Sequence, residues 1–321
     1  MPELRRHYFL QEYCVIASER QKRPSDFQAA GAKEKSTGKC PFCPGNEEMT
    51  PPATAVYRED GVCADGEERV RGWFARAFPN LYPAMVPDPA PATADWTALR
   101  GRGYHEVIIE SPEHGKSPAG FSEEQMQRLV GVYRDRYIHY KKMPDVRFVS
   151  IFKNWGREAG ASLSHTHSQL IALPLLPPLL MREREAMASW PSCPYCAVAD
   201  RESSSPRLVA GNRDWILLAP FFSQSPYETW ILPRRHYGDL EELDRERCES
   251  LAQIMGEGLG RLSRLLKDPP YNLMIYQLSE GYHLNIRIQP VLSKMAGFEK
   301  NTGICINTVP PEQAAIDLLD A

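Results

Sequence analysis

Two histidines two residues apart, followed by a glutamine, are the residues of this chain best suited to chemistry. They stand in residues 165–169, which read His-Thr-His-Ser-Gln and run into the apolar residues 170–173. The apolar run predicts a buried strand, and alternate residues of a strand share one face. His165, His167 and Gln169 would therefore point the same way. Such a group can bind a metal, attack phosphorus or donate to an oxyanion, whereas the simplest alternative is a polar strand end.

Two Cys-x-x-Cys pairs supply a second kind of reactive group. Cys40 and Cys43 form the first pair and Cys193 and Cys196 the second, each enclosing a proline and an aromatic residue. In a reducing compartment such pairs serve metal or redox chemistry rather than structural disulfides. A redox pair stands at a strand-to-helix junction that lowers the pKa of its thiol. No strand–helix–strand pattern surrounds the second pair, so the sequence favours metal binding.

Each cysteine pair is followed by two histidines at matching points of the chain. Two thiolates and two neutral imidazoles make a tetrahedral set that suits zinc. We expect two zinc ions per chain, one on each of two sets: Cys40, Cys43, His114 and His165, then Cys193, Cys196, His236 and His283. Two points stay open. His105 competes with His114, and counting back from Pro174 and Pro290 places His283 opposite His167 rather than His165.

The elements that must position these residues also occur twice. Residues 122–140 predict a helix that begins with Ser122 as N-cap and Gln125 completing a capping box, and residues 244–266 carry the same apolar rhythm. Two strands close each half, and strands separated by turns around one long helix indicate an antiparallel sheet packed with helices. The sequence predicts an internally duplicated α+β protein with halves at residues 1–180 and 181–321.

The bulk composition excludes several classes of function. The 321 residues are 42% apolar and 25% charged, with a formal net charge of −3. That charge gives no electrostatic case for binding nucleic acid or an anionic membrane. The longest apolar run, residues 170–181, contains three prolines and is too short to span a bilayer. Because the first residues lack an apolar signal core, we expect a cytoplasmic protein.

Several segments resemble the galactose-1-phosphate uridylyltransferase family of the histidine-triad superfamily. Residues 154–169 look like the family's active-site segment, and residues 20–24 are similar to its basic motif. Residues 80–83 resemble its Asn-x-aromatic nucleotide contact. Residues 111–114 resemble the segment that donates a zinc histidine, and residues 297–299 the segment that contacts the sugar. The resemblance covers nearly the whole chain and implies a duplicated histidine-triad-like fold.

The resemblance implies nucleotidyl transfer through a covalent histidine. His167 would attack the α-phosphorus of a nucleotide-sugar and expel a sugar 1-phosphate, after which a phosphate-bearing acceptor takes the nucleotidyl group. Gln169 would donate to a phosphoryl oxygen as charge develops. The resemblance further implies substrate contacts at eight residues: Arg20, Arg23, Asn80, Asn154, Ser162, Gly297, Phe298 and Glu299.

Two departures from the family pattern bear on function. Thr166 replaces the proline usual between the two histidines, which removes no reacting group. Asn285 and Arg287 occupy the positions at which bacterial uridylyltransferases carry an iron-binding His-x-His, so we expect that iron site to be absent. The second Cys/His set instead resembles the second zinc site of the plant ADP-glucose phosphorylase branch.

The resulting expectation is exchange of UMP between UDP-glucose and a hexose 1-phosphate such as galactose 1-phosphate. One alternative is a nucleotide-sugar phosphorylase of the ADP-glucose type, for which inorganic phosphate is the acceptor. A second alternative, from another class, is a nucleotide-binding protein that has lost catalysis, and Thr166 is its only support. By analogy with the family, we expect a homodimer.

Overall fold

A computed structural model describes residues 2–22, 39–89 and 100–321 of the chain. The strands within these ranges are β1 (Glu3–Arg6), β2 (Tyr13–Ile16), β3 (Ala55–Arg58), β4 (Gly61–Cys63), β5 (Ala75–Pro79), β6 (Tyr104–Ile109), β7 (Phe148–Trp155), β8 (His167–Leu173), β9 (Leu208–Gly211), β10 (Trp215–Leu218), β11 (Thr229–Pro233), β12 (Tyr271–Tyr276), β13 (Asn285–Pro290) and β14 (Cys305–Asn307). The α-helices are α1 (Glu123–Lys141), α2 (Pro178–Ala188), α3 (Pro194–Glu202), α4 (Arg245–Leu266), α5 (Gly297–Thr302) and α6 (Pro311–Leu319). Among these helices none has the length and apolar character needed to cross a bilayer.

One sheet of eleven strands organises the molecule, in the order β4-β3-β5-β6-β8-β7-β12-β13-β11-β10-β9. Every neighbouring pair in it is antiparallel. Read inward from either edge, the strands of the two halves follow the same order, apart from the additional β4. The predicted antiparallel α+β fold with a duplicated plan is confirmed. A smaller sheet, β1-β2-β14, joins segments from near the two ends of the chain.

The two halves meet at the centre of the large sheet, where β7 pairs with β12. Asn154 lies opposite Asn272, and the Asn272 side-chain amide donates to Asn154 Oδ1 at 2.8 Å. These two residues are 118 positions apart, as are His165 and His283. Equivalent residues therefore face each other across an approximate two-fold axis. The alignment counted from prolines is wrong by two residues, because Pro174 follows β8 whereas Pro290 is the last residue of β13.

Helices α1 and α4 pack against each other and cover one face of the large sheet. The predicted capping box is present, since Ser122 Oγ accepts from the Gln125 N–H and Gln125 Oε1 accepts from the Ser122 N–H. The buried residues of both helices contact strand residues such as Ile108, Leu170 and Ile286. Because neighbouring strand residues point to opposite faces, His167 and Gln169 lie on the face away from α1 and α4.

The predicted boundary at residue 180 falls in the first turn of α2. The large sheet continues across the two halves through β7 and β12. The division into residues 1–180 and 181–321 therefore stays a prediction about sequence repeats rather than about separate bodies.

Candidate active site

The His-x-His-x-Gln segment enters the sheet at His167, the first residue of β8. His165 precedes the strand rather than belonging to it. The Phe42 ring lies edge-on to both imidazoles, with ring centres 6.2 Å from His165 and 5.2 Å from His167. Both histidines thus lie beside the aromatic residue of the first Cys-x-x-Cys pair, which is itself buried in an apolar cluster with Val56 and Phe78.

The His167 ring is fixed by a single hydrogen bond from its own segment. Its Nδ1 lies 2.8 Å from the backbone carbonyl oxygen of His165. A carbonyl can only accept, so Nδ1 carries the proton and Nε2 holds the free lone pair. Burial, followed by the nearby Lys153 ammonium, lowers the pKa of His167. The side chain is 8% exposed, and no described residue bonds its Nε2.

The first predicted metal set comes together as one cluster. Cys40, Cys43, His114 and His165 place their ligand atoms within 4.8 Å of one another. Cys43 Sγ lies 3.3 Å from His114 Nδ1 and 3.6 Å from His165 Nδ1. Metal bonds of about 2.3 Å to sulfur and about 2.0–2.1 Å to nitrogen give a tetrahedron with sulfur–nitrogen edges of about 3.5 Å. The donor atoms therefore fit a tetrahedral metal, and His165 Nε2 lies 2.7 Å from the Ser111 carbonyl, which orients the ring.

The second predicted set forms a matching cluster from Cys193, Cys196, His236 and His283. Cys193 Sγ lies 3.5 Å and Cys196 Sγ 3.6 Å from His283 Nδ1. His283 therefore occupies the place that His165 has in the first half. Cys193 is the N-cap of α3, as a redox thiol would be, but α2 rather than a strand precedes it and two histidines complete the set. Both clusters could hold a metal ion.

His105 belongs to the active-site face and not to the first cluster, which settles its competition with His114. Its Nε2 lies 2.9 Å from Gln169 Oε1, and its Nδ1 accepts from the Ala84 N–H at 3.0 Å. Asn80 joins the same group, since its Nδ2 lies 3.2 Å from His105 Nε2 and its Oδ1 accepts from the Tyr82 N–H. The structure thus brings Asn80 and Gln169 together through a histidine.

A buried ionic network supports the other side of the His-Thr-His-Ser segment. Lys153 Nζ lies 2.7 Å from Glu110 Oε2, 2.9 Å from Thr166 Oγ1 and 3.0 Å from the His167 carbonyl oxygen. Ser168 and Tyr133 also donate to Glu110. Although burial alone would raise the pKa of Glu110, Lys153 and the hydrogen bonds outweigh it and hold that pKa below its usual value. The Thr166 hydroxyl therefore ties the segment to this network.

Asn154 and Ser162 flank the loop that leads from β7 to His165. Asn154 accepts from Asn272, as described above, and Ser162 is exposed without a side-chain hydrogen bond to any described residue. Gly156 opens the loop at φ +82°, and a Cβ there would lie 2.8 Å from Pro270 Cβ. Only glycine fits that turn, because both the backbone conformation and the space exclude a side chain. Substrate contacts of Asn154 and Ser162 stay predictions.

The remaining predicted substrate residues either make no hydrogen bond to this group among the described residues or lie outside the described ranges. Arg20 lies in the single turn after β2, and Arg23 lies outside the described residues. Gly297, Phe298 and Glu299 begin α5, a helix without buried residues whose hydrogen bonds join residues 296–304 to one another. Within the described part of the chain, no hydrogen bond or ring contact joins α5 to His167 or Gln169.

Sequence reasoning missed two residues of the site in their present roles. His105 entered only as a rival metal ligand, and Lys153 was not singled out at all. The available signal for Lys153 was a lone charge in a strand whose neighbours are apolar, since buried charges require partners. For His105 no local signal exists, because its bond to Gln169 depends on the pairing of β6 with β8.

Comparisons with known sequences identify a matching family model and relatives that span nearly the whole chain. The family model described as galactose-1-phosphate uridyl transferase, N-terminal domain, matches residues 1–177. An ADP-glucose phosphorylase of Arabidopsis thaliana is 30% identical over 98% of this chain and 91% of its own length. A galactose-1-phosphate uridylyltransferase of Thermotoga maritima is 28% identical over 99% of this chain and 98% of its own.

Solved structures resemble the whole molecule. The crystal structure of an Arabidopsis thaliana ADP-glucose phosphorylase with bound ADP-glucose has a TM-score of 0.83 at 27% identity, covering 100% of this chain and 99% of that one. A uridylyltransferase structure has a TM-score of 0.78 at 26% identity, covering 100% and 98%. The resemblance read from the motifs is confirmed: the chain belongs to the galactose-1-phosphate uridyl transferase family.

Proposed function

We propose that this enzyme transfers a nucleotidyl group from a nucleotide-sugar to a phosphate-bearing acceptor through a covalent intermediate on His167. The observation that carries the proposal is the hydrogen bond from His167 Nδ1 to the His165 carbonyl. It fixes the tautomer whose Nε2 is free to attack, and a neutral imidazole is a competent nucleophile near pH 7. The carbonyl also stabilises the positive charge that the ring acquires when Nε2 bonds to phosphorus.

The reaction would proceed in two balanced steps. In the first, the Nε2 lone pair of His167 forms a bond to the α-phosphorus, and the bond to the bridging oxygen breaks, which releases a sugar 1-phosphate. In the second, a phosphate oxygen of the acceptor attacks the same phosphorus and the nitrogen–phosphorus bond breaks. The Gln169 amide would donate to a non-bridging oxygen in both transition states. Two steps avoid binding two anionic substrates together.

The metal that suits both clusters is zinc, because two thiolates and two imidazoles at tetrahedral spacing match its preferences. A closed set of four protein ligands supplies structural stability rather than a reactive metal-bound water. In the first half His165 would belong to the metal cluster through Nδ1 and to His167 through its carbonyl. That cluster would therefore hold the nucleophile in place without taking part in bond making.

Two donor and acceptor pairs fit the proposal. The first is UMP exchange between UDP-glucose and a hexose 1-phosphate such as galactose 1-phosphate, in line with the uridylyltransferases among the relatives. The second is phosphorolysis of ADP-glucose by inorganic phosphate. It is favoured by the ADP-glucose phosphorylase that is 30% identical to this chain and by the similarity to its complex with ADP-glucose.

A crossed panel of substrates tests the proposal and separates the two candidates. The protein would be incubated with UDP-glucose or ADP-glucose labelled at the α-phosphate and then chased with galactose 1-phosphate, glucose 1-phosphate or inorganic phosphate. We expect label on the protein from one donor, released by one class of acceptor, and parallel double-reciprocal lines for donor and acceptor. Intersecting lines, or turnover without labelled protein, would contradict a covalent intermediate.

The oligomeric state and location remain parts of the proposal. The family analogy suggests a homodimer, which light scattering on the purified protein would test. The cytoplasmic location expected from the sequence would be tested by cell fractionation.

A further inference from the structure

His105 is the one histidine singled out in the sequence that the metal clusters and the covalent step leave unused although it lies in the site. It is half-buried on β6 and both of its ring nitrogens have neighbours. Its Nδ1 faces the backbone N–H of Ala84, and its Nε2 faces Gln169 Oε1. A ring whose two nitrogens both have fixed neighbours has a defined proton position, and that position decides what Gln169 can do.

The Ala84 contact settles which nitrogen carries the proton. A backbone N–H can only donate, so Nδ1 must accept and the neutral ring carries its hydrogen on Nε2. Burial lowers the pKa of His105, which keeps the ring neutral near pH 7. The Nε2–H then needs an acceptor. The Tyr82 N–H fixes the orientation of the Asn80 amide, so the Asn80 atom nearest Nε2 is Nδ2, which can only donate. The acceptor is therefore Gln169 Oε1 at 2.9 Å.

This hydrogen bond orients the Gln169 amide. With Oε1 held by His105, the Nε2 hydrogens of Gln169 point away from β6, and no described residue accepts from them. Gln169 and His167 lie two residues apart on one strand, so both side chains share one face. A free amide donor beside a free imidazole lone pair is the arrangement that an attack on phosphorus requires.

We propose that His105 is a positioning residue that fixes Gln169 as a hydrogen-bond donor to the phosphoryl oxygens, through the relay from the Ala84 N–H to His105 Nδ1 and from His105 Nε2–H to Gln169 Oε1. The proposal rests on the nucleotidyl transfer proposed above and adds to it a residue that touches neither nucleotide nor metal. It also gives residues 80–84 a role, because this exposed loop supplies the donor that selects the tautomer.

The tautomer can be tested without any activity. In protein labelled with ¹⁵N-histidine, the correlations between ring nitrogens and ring hydrogens show which nitrogen is protonated. The His105 signals are identified by their disappearance in His105→Gln. We expect the proton on Nε2 at pH 7. A proton on Nδ1, or a rapidly exchanging mixture, would overturn the proposal even if the enzyme labels normally.

Two substitutions that are nearly isosteric with each other then test the function of the hydrogen bond from His105 to Gln169. In His105→Gln the new side chain can still donate to Gln169 Oε1, whereas in His105→Glu it can only accept and would turn the Gln169 amide round. In single-turnover experiments with α-labelled nucleotide-sugar, we expect His105→Glu to slow adduct formation by about 10²–10³-fold. That is the scale of losing one hydrogen-bond donor to an oxyanion. His105→Gln should keep most of the wild-type rate. The concentration of nucleotide-sugar that gives half the maximal rate should change little in either variant.

A double-mutant cycle separates positioning from the charge that His105→Glu introduces. Gln169→Ala alone should slow labelling by about 10²–10³-fold. If His105 acts through Gln169, adding His105→Glu to Gln169→Ala should cause no further loss. A further loss would mean that the carboxylate acts on the substrate directly, and an equal loss in His105→Gln would mean a merely structural role. Either result overturns the proposal. By contrast, absence of label on wild-type protein contradicts the proposed function, while the tautomer measurement still tests His105.

Discussion

The two halves of the molecule keep the same frame around the metal clusters and differ in what stands beside it. In the first half His167 Nδ1 donates to the carbonyl of His165, and in the second half Asn285 Nδ2 donates to the carbonyl of His283 at 3.0 Å. Val107 pairs with Gln169 across the strands as Trp230 pairs with Arg287. The backbone geometry is therefore duplicated, and at this point the first half carries an imidazole and the second an amide.

The space beside the strand also differs. Gln169 leaves its amide hydrogens free, whereas Arg287 is buried and donates to Glu183 at 3.0 Å and to the Tyr195 hydroxyl at 2.7 Å. The Arg287 guanidinium also lies 4.0 Å from the centre of the Tyr276 ring. The second half thus packs its own side chains around Arg287, whereas no described residue accepts from the Gln169 amide.

On the opposite face of these strands, the first half carries polar residues and the second half carries apolar ones. Thr166 and Ser168 in the first half contact the Lys153–Glu110 pair, whereas their counterparts Leu284 and Ile286 are buried in the apolar cluster under α1 and α4. The Cys/His cluster of the second half therefore has an apolar backing. The half proposed to do chemistry instead adds a buried ion pair behind its nucleophile.

The largest effect is expected when the first half is made to resemble the second. His167→Asn should abolish labelling by α-labelled nucleotide-sugar, a loss on the order of 10⁶-fold in rate, the scale of removing a catalytic nucleophile. Because asparagine can still donate to the His165 carbonyl, metal content and fold should be unchanged. Adding Asn285→His should restore nothing, since Arg287 and Glu183 fill that site. Labelling of the double variant would show that the second half can accept a nucleotide.

A second change removes the ionic backing. Lys153→Met would leave Glu110 buried without its cation, and breaking one side of a buried pair costs about 3–5 kcal/mol of unfolding free energy. Chemical denaturation at pH 7 measures this. The double variant Lys153→Met with Glu110→Leu, which copies the apolar backing of the second half, should recover much of the loss. If the single variant lost less than about 1 kcal/mol, which is the range of exposed pairs, the network would be solvated rather than buried.

The metal frames themselves should differ in strength. His165 Nε2 lies 2.7 Å from the Ser111 carbonyl, whereas the buried His283 Nε2 has no hydrogen-bond partner among the described residues. Loss of such a partner weakens metal binding by about 10–100-fold. In metal-replete protein, a chelator should therefore remove one ion per chain well before the other. Cys193→Ser should eliminate the labile ion and Cys40→Ser the retained one. Release of both ions together would contradict this.

The smallest effect concerns the acid stability of the packing between His7 and Trp230. His7 is buried next to Trp230, its Nδ1 accepts from the Leu10 N–H, and burial followed by Arg287 lowers its pKa from 6.5 to about 3. The folded ring stays neutral while the unfolded chain binds a proton below pH 6.5, so the stability it contributes is complete above 6.5 and falls as the pH falls. At about 1.4 kcal/mol per pH unit, roughly 2 kcal/mol is lost by pH 5.

The matched variant for this pH effect is His7→Asn, which keeps an acceptor for the Leu10 N–H without titrating. Its unfolding free energy should fall less steeply between pH 7 and pH 5 than that of the wild type. Identical slopes would assign the acid sensitivity to other groups.

The sequence predicted the frame better than it predicted the site. The capping box of α1 is a pattern of closely spaced residues, and the Cys/His set occurs twice along the chain. Such patterns can be recognised in the sequence without knowing which strands pair. His283 was misaligned because prolines mark the ends of strands and not their register. The partners of His105 and Lys153 depend on which strands lie side by side, so a chain read in one dimension could not supply them.

The contact between Asn154 and Asn272 bears on what a chain gains when two copies of one unit are joined. When equivalent residues face each other across a two-fold axis, the junction has the form of an isologous dimer interface, except that here both partners belong to one polypeptide. In a true homodimer any substitution appears in both subunits. Fusion removes that constraint. One copy can carry Asn285 and a buried Arg287 where the other carries His167 and Gln169. The paired central strands still join the two copies in one body.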